Sequence, residues 1–472
     1  MTTVTTAPAA SDQISPARRR LALFALALGG FGIGGSEFVS MGLLPGIAHG
    51  LLPDLMASDP ETGIARAGIA ISAYALGVVV GAPILALLSV RWSRSSMIVA
   101  LAGALALGTL LSAAMPTFEL TVAARFLAGI PHGAYFGVAS LLAASLMGPG
   151  SQGKGVALAL SGLTVANLLG VPVLTAIGQA AGWRAVYLVL TGVFIATVLA
   201  LRATIPAHEK PIGRRMVDEL VALRRVQLWI VMGIAAVGFA GSFAVFSYVS
   251  DITTQVTGAP ESAVPWVLVA AGLGMTIGNV VGGAGADRSL QRTLMVGFPG
   301  FILALVLLFA VAHTNLVALM VAFFLVNLAN ASLNPAMQTW LIGIARRSEV
   351  LGASLNHAAF NVANALGAGL GGAVIAAGFG YRSTMVVALV LAITGFAMVT
   401  ATLVALRVRA RRRLEMLRGT EFTTTGAIEA IDEEDGLEAG ADVEAAGDVE
   451  AAAETEDGVP ARSRAARPVA VG

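Results

Sequence analysis

The sequence predicts an all-α polytopic membrane protein, with twelve transmembrane helices arranged as two pseudo-symmetric six-helix bundles. Three observations carry this. Hydrophobic residues make up 57% of the 472 residues and charged residues only 12%, with a mean hydropathy of +0.82, whereas soluble domains carry about 25% charged residues. Apolar stretches near the length of about 20 residues that crosses a bilayer recur twelve times. Short motifs return in the second half at a fixed offset. The composition excludes a soluble enzyme, a nucleic-acid module and a disulfide scaffold. The absence of cysteine removes thiolate chemistry and Cys-ligated metal.

The chain opens with Arg18-Arg19-Arg20 ahead of an apolar run that continues to Ser36 without a cleavage site, so it reads as a first span rather than a secretory signal. The spans fall near 21–46, 67–90, 96–114, 117–146, 155–178, 183–205, 227–250, 264–286, 293–312, 315–342, 350–378 and 383–406. Connections are short except 47–66 and 206–226. This gives an N-terminal segment over 1–20, a first bundle over 21–205, a linker over 206–226, a second bundle over 227–406 and a tail over 407–472. The tail is basic to Arg418 and then acidic: 14 of the 28 acidic residues lie between Glu421 and Asp457, a stretch without Lys or Arg. Such a composition buries too little apolar surface to fold alone and is expected to be disordered.

Orientation follows from the Lys and Arg bias of the loops. With the N-terminus cytoplasmic, 22 basic residues face the cytoplasm and three, Arg66, Arg184 and Arg382, face outward. Both termini are therefore expected on the cytoplasmic side of the plasma membrane.

The chain is written twice. Ala166-Asn167-Leu168-Leu169-Gly170 in span 5 recurs as Ala363-Asn364-Ala365-Leu366-Gly367 in span 11. Gly182-Trp183-Arg184 recurs as Gly380-Tyr381-Arg382, and Arg91 matches Arg288, all at offsets of 197 or 198. Such repeats, with a site near the midplane between them, characterise secondary transporters.

Span 1 reads Gly34-Gly35-Ser36-Glu37-Phe38-Val39-Ser40-Met41-Gly42-Leu43-Leu44-Pro45. Span 4 carries Arg125-Phe126-Leu127-Ala128-Gly129-Ile130-Pro131-His132-Gly133. Span 5 runs from Gly162 to Gly170-Val171-Pro172, and span 8 ends in Gly283-Ala284-Gly285-Ala286-Asp287-Arg288. Over 18–406 these motifs resemble the major facilitator superfamily, in particular its bacterial twelve-helix drug:proton antiporters and arabinose-efflux-type permeases. The resemblance implies the major facilitator fold, a cavity lined by the first and fourth helices of each half, and gating residues at Arg91, Arg94, Asp287, Arg288, Gly170 and Pro172. The first-half loop, Val90-Arg91-Trp92-Ser93-Arg94, lacks the acid that the family signature places before the first arginine. Val171 stands where many antiporters have a second glycine.

Only Glu37 and Arg125 place a full charge well inside the expected spans. An intramembrane charge costs about 2.5–3.5 kcal/mol on the lenient insertion scale and needs a partner or a function. At about 1.5 Å per residue, both lie about 12–13 Å below the outer ends of their helices. Glu37 is expected to bind the coupling proton, with Arg125 modulating it: desolvation strengthens a carboxylate's hold on a proton and a guanidinium weakens it. A permanent ion pair, or direct capture of a cationic substrate by Glu37, are the other readings. His132, seven residues after Arg125, suits a proton relay or an interhelical hydrogen bond. Asn327, Asn330, Asn334 and Gln338 in span 10 fall within about 80° of the helix circumference, and His357, Asn361 and Asn364 form a stripe in span 11. Amides cannot face lipid unpaired, so these stripes are a substrate wall or interhelical glue.

Gly148-Pro149-Gly150-Ser151-Gln152-Gly153-Lys154 imitates a phosphate-binding loop, but Gly155 replaces the Ser or Thr and no strand precedes it. No HExxH or clustered metal-ligand set appears, so neither metal nor cofactor is expected, nor a nucleic-acid partner. The expected function is gradient-driven secondary transport, not catalysis: a monomer in the bilayer exchanging protons for small organic molecules, either drug-like amphiphiles or sugars, by alternating access. A facilitator or symport importer of the same fold, and a transporter-like sensor signalling through the acidic tail, are the alternatives.

Overall fold

The computed structural model describes residues 15–88, 92–148, 151–206, 224–345 and 349–419. Those residues form helices and no strand. Twelve helices are long and apolar enough to cross a membrane: Pro16–Gly42, Pro60–Leu85, Arg94–Ala114, Phe118–Met147, Lys154–Ala181, Trp183–Thr204, Val226–Phe246, Glu261–Arg288, Leu290–Val311, Leu316–Ala345, Leu355–Phe379 and Ser383–Arg412. These are spans 1 to 12. A helix satisfies its own backbone polar groups, which lipid cannot do. Contacts gather the chain into one compact unit ending at Thr402 and another beginning at Leu403, and every contact described below lies in the first. Arg91, most of the 206–226 linker and the acidic tail lie outside the described residues.

Two stretches differ from expectation. The connection read as a loop over 47–66 is occupied by three short helices, Leu44–Leu51, Pro53–Ser58 and Pro60–Ala67, the last leading into Ile69–Leu88 as the first part of span 2. Each has proline in its first turn, where a fixed φ and a missing N–H cost nothing. They are too short to show a hydrophobic period. Span 4, expected to be continuous, breaks at Ile130–Pro131 between Phe118–Gly129 and His132–Met147, because a proline cannot donate the helical hydrogen bond.

The internal repeat is visible in the backbone. Gly182 and Gly380 open spans 6 and 12 with φ of 85° and 70°, a conformation that glycine adopts freely. Two residues on, Arg184 donates to Met115 O at the end of span 3 (3.3 Å) and Arg382 donates to Phe309 O near the end of span 9 (3.2 Å). Both guanidiniums thus satisfy carbonyls at helix C-termini. Within each half, glycines let helices touch. Gly77 and Gly81 of span 2 lie against Phe126 O and Ile130 O of span 4, and Gly274 and Gly278 of span 8 lie against Phe324 O and Leu328 O of span 10. A Cβ at any of the four would meet a carbonyl oxygen, so this close approach requires glycine.

The halves meet through span 5 on span 8 and span 2 on span 11. Ser72 Oγ donates to Ala365 O at 3.3 Å. At the end of the bundle opposite the termini, Gln179 Nε2 donates to Glu261 O at 2.9 Å. A methyl group at Gly68 would come within 2.7 Å of the Tyr248 hydroxyl. This end is closed.

Candidate substrate and proton site

Span 1 brings Ser36, Glu37, Phe38 and Ser40 into the middle of the first bundle, all buried. Glu37 is 3% exposed. Its Oε1 accepts a hydrogen bond from Asn364 Nδ2 of span 11 at 3.2 Å, a contact that joins the two halves. Its Oε2 lies 4.0 Å from His132 Nδ1, beyond hydrogen-bond reach. His132 Nδ1 is instead 3.2 Å from the Tyr74 hydroxyl.

Arg125 is held by the residues flanking Glu37. Its guanidinium donates to Ser36 Oγ and to Ser40 Oγ, both at 3.1 Å. It lies over the Tyr74 ring at 4.2 Å and near the Tyr187 ring at 5.4 Å, and Ser40 Oγ and Tyr187 OH are 2.9 Å apart. Hydrogen bonds to a charged group contribute about 1.5–3 kcal/mol, and a desolvated cation–π contact about 2 kcal/mol. Together these are comparable with the insertion cost of the arginine. Among the described residues Arg125 makes no ion pair within 4.0 Å of Glu37. The two charges share a site without sharing a contact, and Glu37 has no cation fixed against it.

The second half supplies amides. Asn327 and Asn361 turn back to donate to carbonyls of their own helices, Phe323 O at 2.8 Å and His357 O at 3.0 Å. Asn334 Oδ1 accepts from Asn356 Nδ2 at 3.4 Å. Gln338 follows one turn on, half-buried. The side-chain oxygens of Asn327, Asn330, Asn361 and Asn364 are buried with no partner. Buried acceptors are normally satisfied, so these four are available to a hydroxyl- or amide-bearing ligand or to water. The His357 ring stacks on Phe136 of span 4 at 5.0 Å and sits 6.1 Å from the His132 ring. Next to Glu37, Phe38 stacks on Phe243 of span 7 at 6.4 Å and meets the edge of Phe246 at 5.9 Å. Asn364 from the second half and His132 from the first thus flank one carboxylate.

Of the residues expected to gate, Gly170 ends a π-helical turn, Ala166–Gly170, and faces the Phe31 ring of span 1. Pro172 follows at the start of Val171–Ala181. Arg94 opens span 3, and Asp287 and Arg288 stand exposed at the end of span 8. These residues are not brought to Glu37.

Sequence reasoning missed Ser36, Ser40, Tyr74 and Tyr187, which hold Arg125, and Phe38 with Phe243. A signal existed for the tyrosines: the chain has only five, and a tyrosine inside an apolar helix must find a partner for its hydroxyl.

Known proteins resemble this chain in sequence and in fold. A family model described as Major Facilitator Superfamily matches residues 26–259 and 234–431. The chain is 36% identical over 370 residues to the inner membrane transport protein YdhP of Escherichia coli K12, covering 78% of this chain and 92% of that one. It is 30% identical to a chloramphenicol resistance protein of Streptomyces lividans, over 74% of this chain and 87% of that one. Its fold is similar to the crystal structure of a D-xylose–proton symporter, with a TM-score of 0.64 at 16% identity, covering 80% of this chain and 97% of that one. The chain is a multi-pass membrane transporter and belongs to the Major Facilitator Superfamily.

Proposed function

We propose that the protein is a proton-coupled exporter of small organic molecules, working by alternating access with both termini in the cytoplasm. The carrying observation is the environment of Glu37. It is a sealed carboxylate with one amide donor, a histidine just beyond contact and no cation bound to it. Ionised, such a group is costly to bury; protonated, it is not. Arg125 stays near enough to favour the ionised form once water or substrate enters, while Ser36, Ser40, Tyr74 and Tyr187 keep it from collapsing onto the carboxylate. Proton and substrate therefore compete for one site. A proton entering from outside neutralises Glu37 as substrate leaves, and opening to the cytoplasm releases it.

The aromatic face at Phe38 and Phe243 and the free amide acceptors suit an amphiphile carrying hydroxyl or amide groups. The chloramphenicol resistance relative supports that class. The orientation rests on the excess of Arg and Lys at the termini end. His132, with Tyr74 beside it, is the relay into Glu37, and Asp287 and Arg288 belong to the cytoplasmic gate.

Everted membrane vesicles holding a fluorescent pH reporter test this reading. After energisation, antibiotics and sugars are added in turn. A substrate should discharge the gradient with the parent protein and not with Glu37→Gln. Discharge that persists in Glu37→Gln, or tracer equilibration with no discharge in the parent, contradicts it.

A further inference from the structure

The closed end of the bundle contains a second buried carboxylate, remote in sequence from Glu37. Span 7 stops at Phe246, and a short helix, Val249–Asp251, leads into a π-helical turn over Ile252–Val256. Within this one turn, Ser247, Ser250 and Asp251 are 0%, 0% and 3% exposed. Ser247 Oγ, Ser250 Oγ and Asp251 Oδ2 have no hydrogen-bond partner. Three orphaned oxygens within five residues are unusual in a packed interior.

The turn lies in the seam between the halves. Val249–Asp251 packs against span 1 and Leu44–Leu51 from the first half and against span 8 from the second. Between the serines, Tyr248 donates to Ala368 O of span 11 at 2.7 Å and reaches Gly68 of the first half. Whatever opens this end must part these contacts and admit water to Asp251.

The charges around it offer no compensation. Among the described residues Asp251 has no ion pair within 4.0 Å. Span 1 brings Glu37, itself an acid. Leu44–Leu51 brings His49, which is exposed, with Nδ1 2.9 Å from Pro45 O. Span 8 has the exposed acid Glu261 at this end and Asp287 and Arg288 at its opposite end. Tyr248 adjoins Asp251, and the Tyr381 hydroxyl feels Asp251, Glu61 and Asp59 together. Asp251 lies beyond the end of span 7, and burial pushes its carboxyl from the ordinary 3.8 up to about 7.

We propose that Asp251 is a second proton-binding group, which keeps the end opposite the termini closed while protonated and lets it open when ionised. The closed seam accepts a neutral carboxyl and rejects a carboxylate, whereas the opened, hydrated seam tolerates both. The closed form therefore binds the proton more tightly. Between pH 3.8 and about 7, each unit of rise moves the equilibrium up to about tenfold toward opening, and above that window the shift saturates.

The chain lacks cysteine, so spin labels can be placed at Ala180→Cys and Ser262→Cys, two exposed positions beside the Gln179–Glu261 hydrogen bond. Label distances are measured on the full chain in nanodiscs from pH 4.5 to 8.5. The short-distance population should dominate at low pH and fall as pH rises. Asp251→Asn should hold it at low-pH levels throughout. A parent without a pH response, or an Asp251→Asn variant that keeps it, overturns the proposal. Should Asp251→Asn not fold, Asp251→Glu decides: it must retain the response, and loss of the response overturns the proposal. Because the readout is a distance between labels, taken without substrate or an imposed proton gradient, failure here is separate from failure of the exporter reading.

Discussion

Spans 5 and 11 carry the same Ala-Asn-x-Leu-Gly pattern, and each packs across the seam onto the other half, span 5 on span 8 and span 11 on span 2. Their backbones nevertheless differ. Ala166–Gly170 is a π-helical turn closed by Val171 N donating to Ala166 O, whereas residues 363–367 are regular α-helix. Pro172 accounts for this: it lacks an N–H and its ring would crowd the carbonyl four residues back, so the helix widens by one residue. Its counterpart in span 11 is Gly369, which imposes no such demand.

The side chains differ too. Asn364 reaches Glu37, while the Asn167 side-chain oxygen is buried without a partner and its backbone carbonyl lies against Gly272. The duplication thus preserved a scaffold, and the two copies diverged in chemistry. The first half holds the carboxylate and guanidinium, and the second lends it an amide. The coupling role proposed for Glu37 needs this asymmetry, because the acid must lie where both halves can change its surroundings.

The largest expected effect is at the matched glycines. Gly367 faces Ala240 O, a backbone atom that cannot yield, whereas Gly170 faces the Phe31 ring. Gly367→Val should cost about 3 kcal/mol or abolish folded protein, and Gly170→Val about 1 kcal/mol, read as survival of monodisperse protein after heating. Equal losses would mean that span 5 on span 1 and span 11 on span 7 are packed alike. Next come the asparagines. Asn364→Ala removes a donor from a buried carboxylate, worth about 1–3 kcal/mol, and should shift the proton dependence of transport by about tenfold. Asn167→Ala should shift it less than about twofold. Equal shifts would break the comparison. Smallest is the test of retained symmetry: Arg184→Ala and Arg382→Ala should each cost about 0.3–1 kcal/mol, the value of a cation at a helix C-terminus, and by the same amount.

The helices were legible in the sequence because bilayer thickness dictates their length, and the duplication because motifs at a fixed offset survive divergence. The nearness of Glu37 and Arg125 was legible too, since depth is arithmetic along a helix. Their partners were not. Periodicity puts Asn361 and Asn364 on one stripe but cannot say that one amide folds onto its own helix and the other crosses to Glu37. Depth cannot show that Ser36 and Ser40 take the Arg125 fork that an ion pair would have used. Asp251 lies one residue past the expected end of span 7, and a hydropathy boundary made a buried acid look like a loop residue.

The central claim is that Glu37 exchanges a proton for substrate. The most direct measurement is proton release on substrate binding: purified protein in weakly buffered detergent at neutral pH, titrated with chloramphenicol or another compound active in vesicles, with a pH indicator as readout. The account predicts about one proton released per substrate bound by the parent and none by Glu37→Gln, with binding retained. Equal release from both proteins, or none from either despite binding, would contradict it.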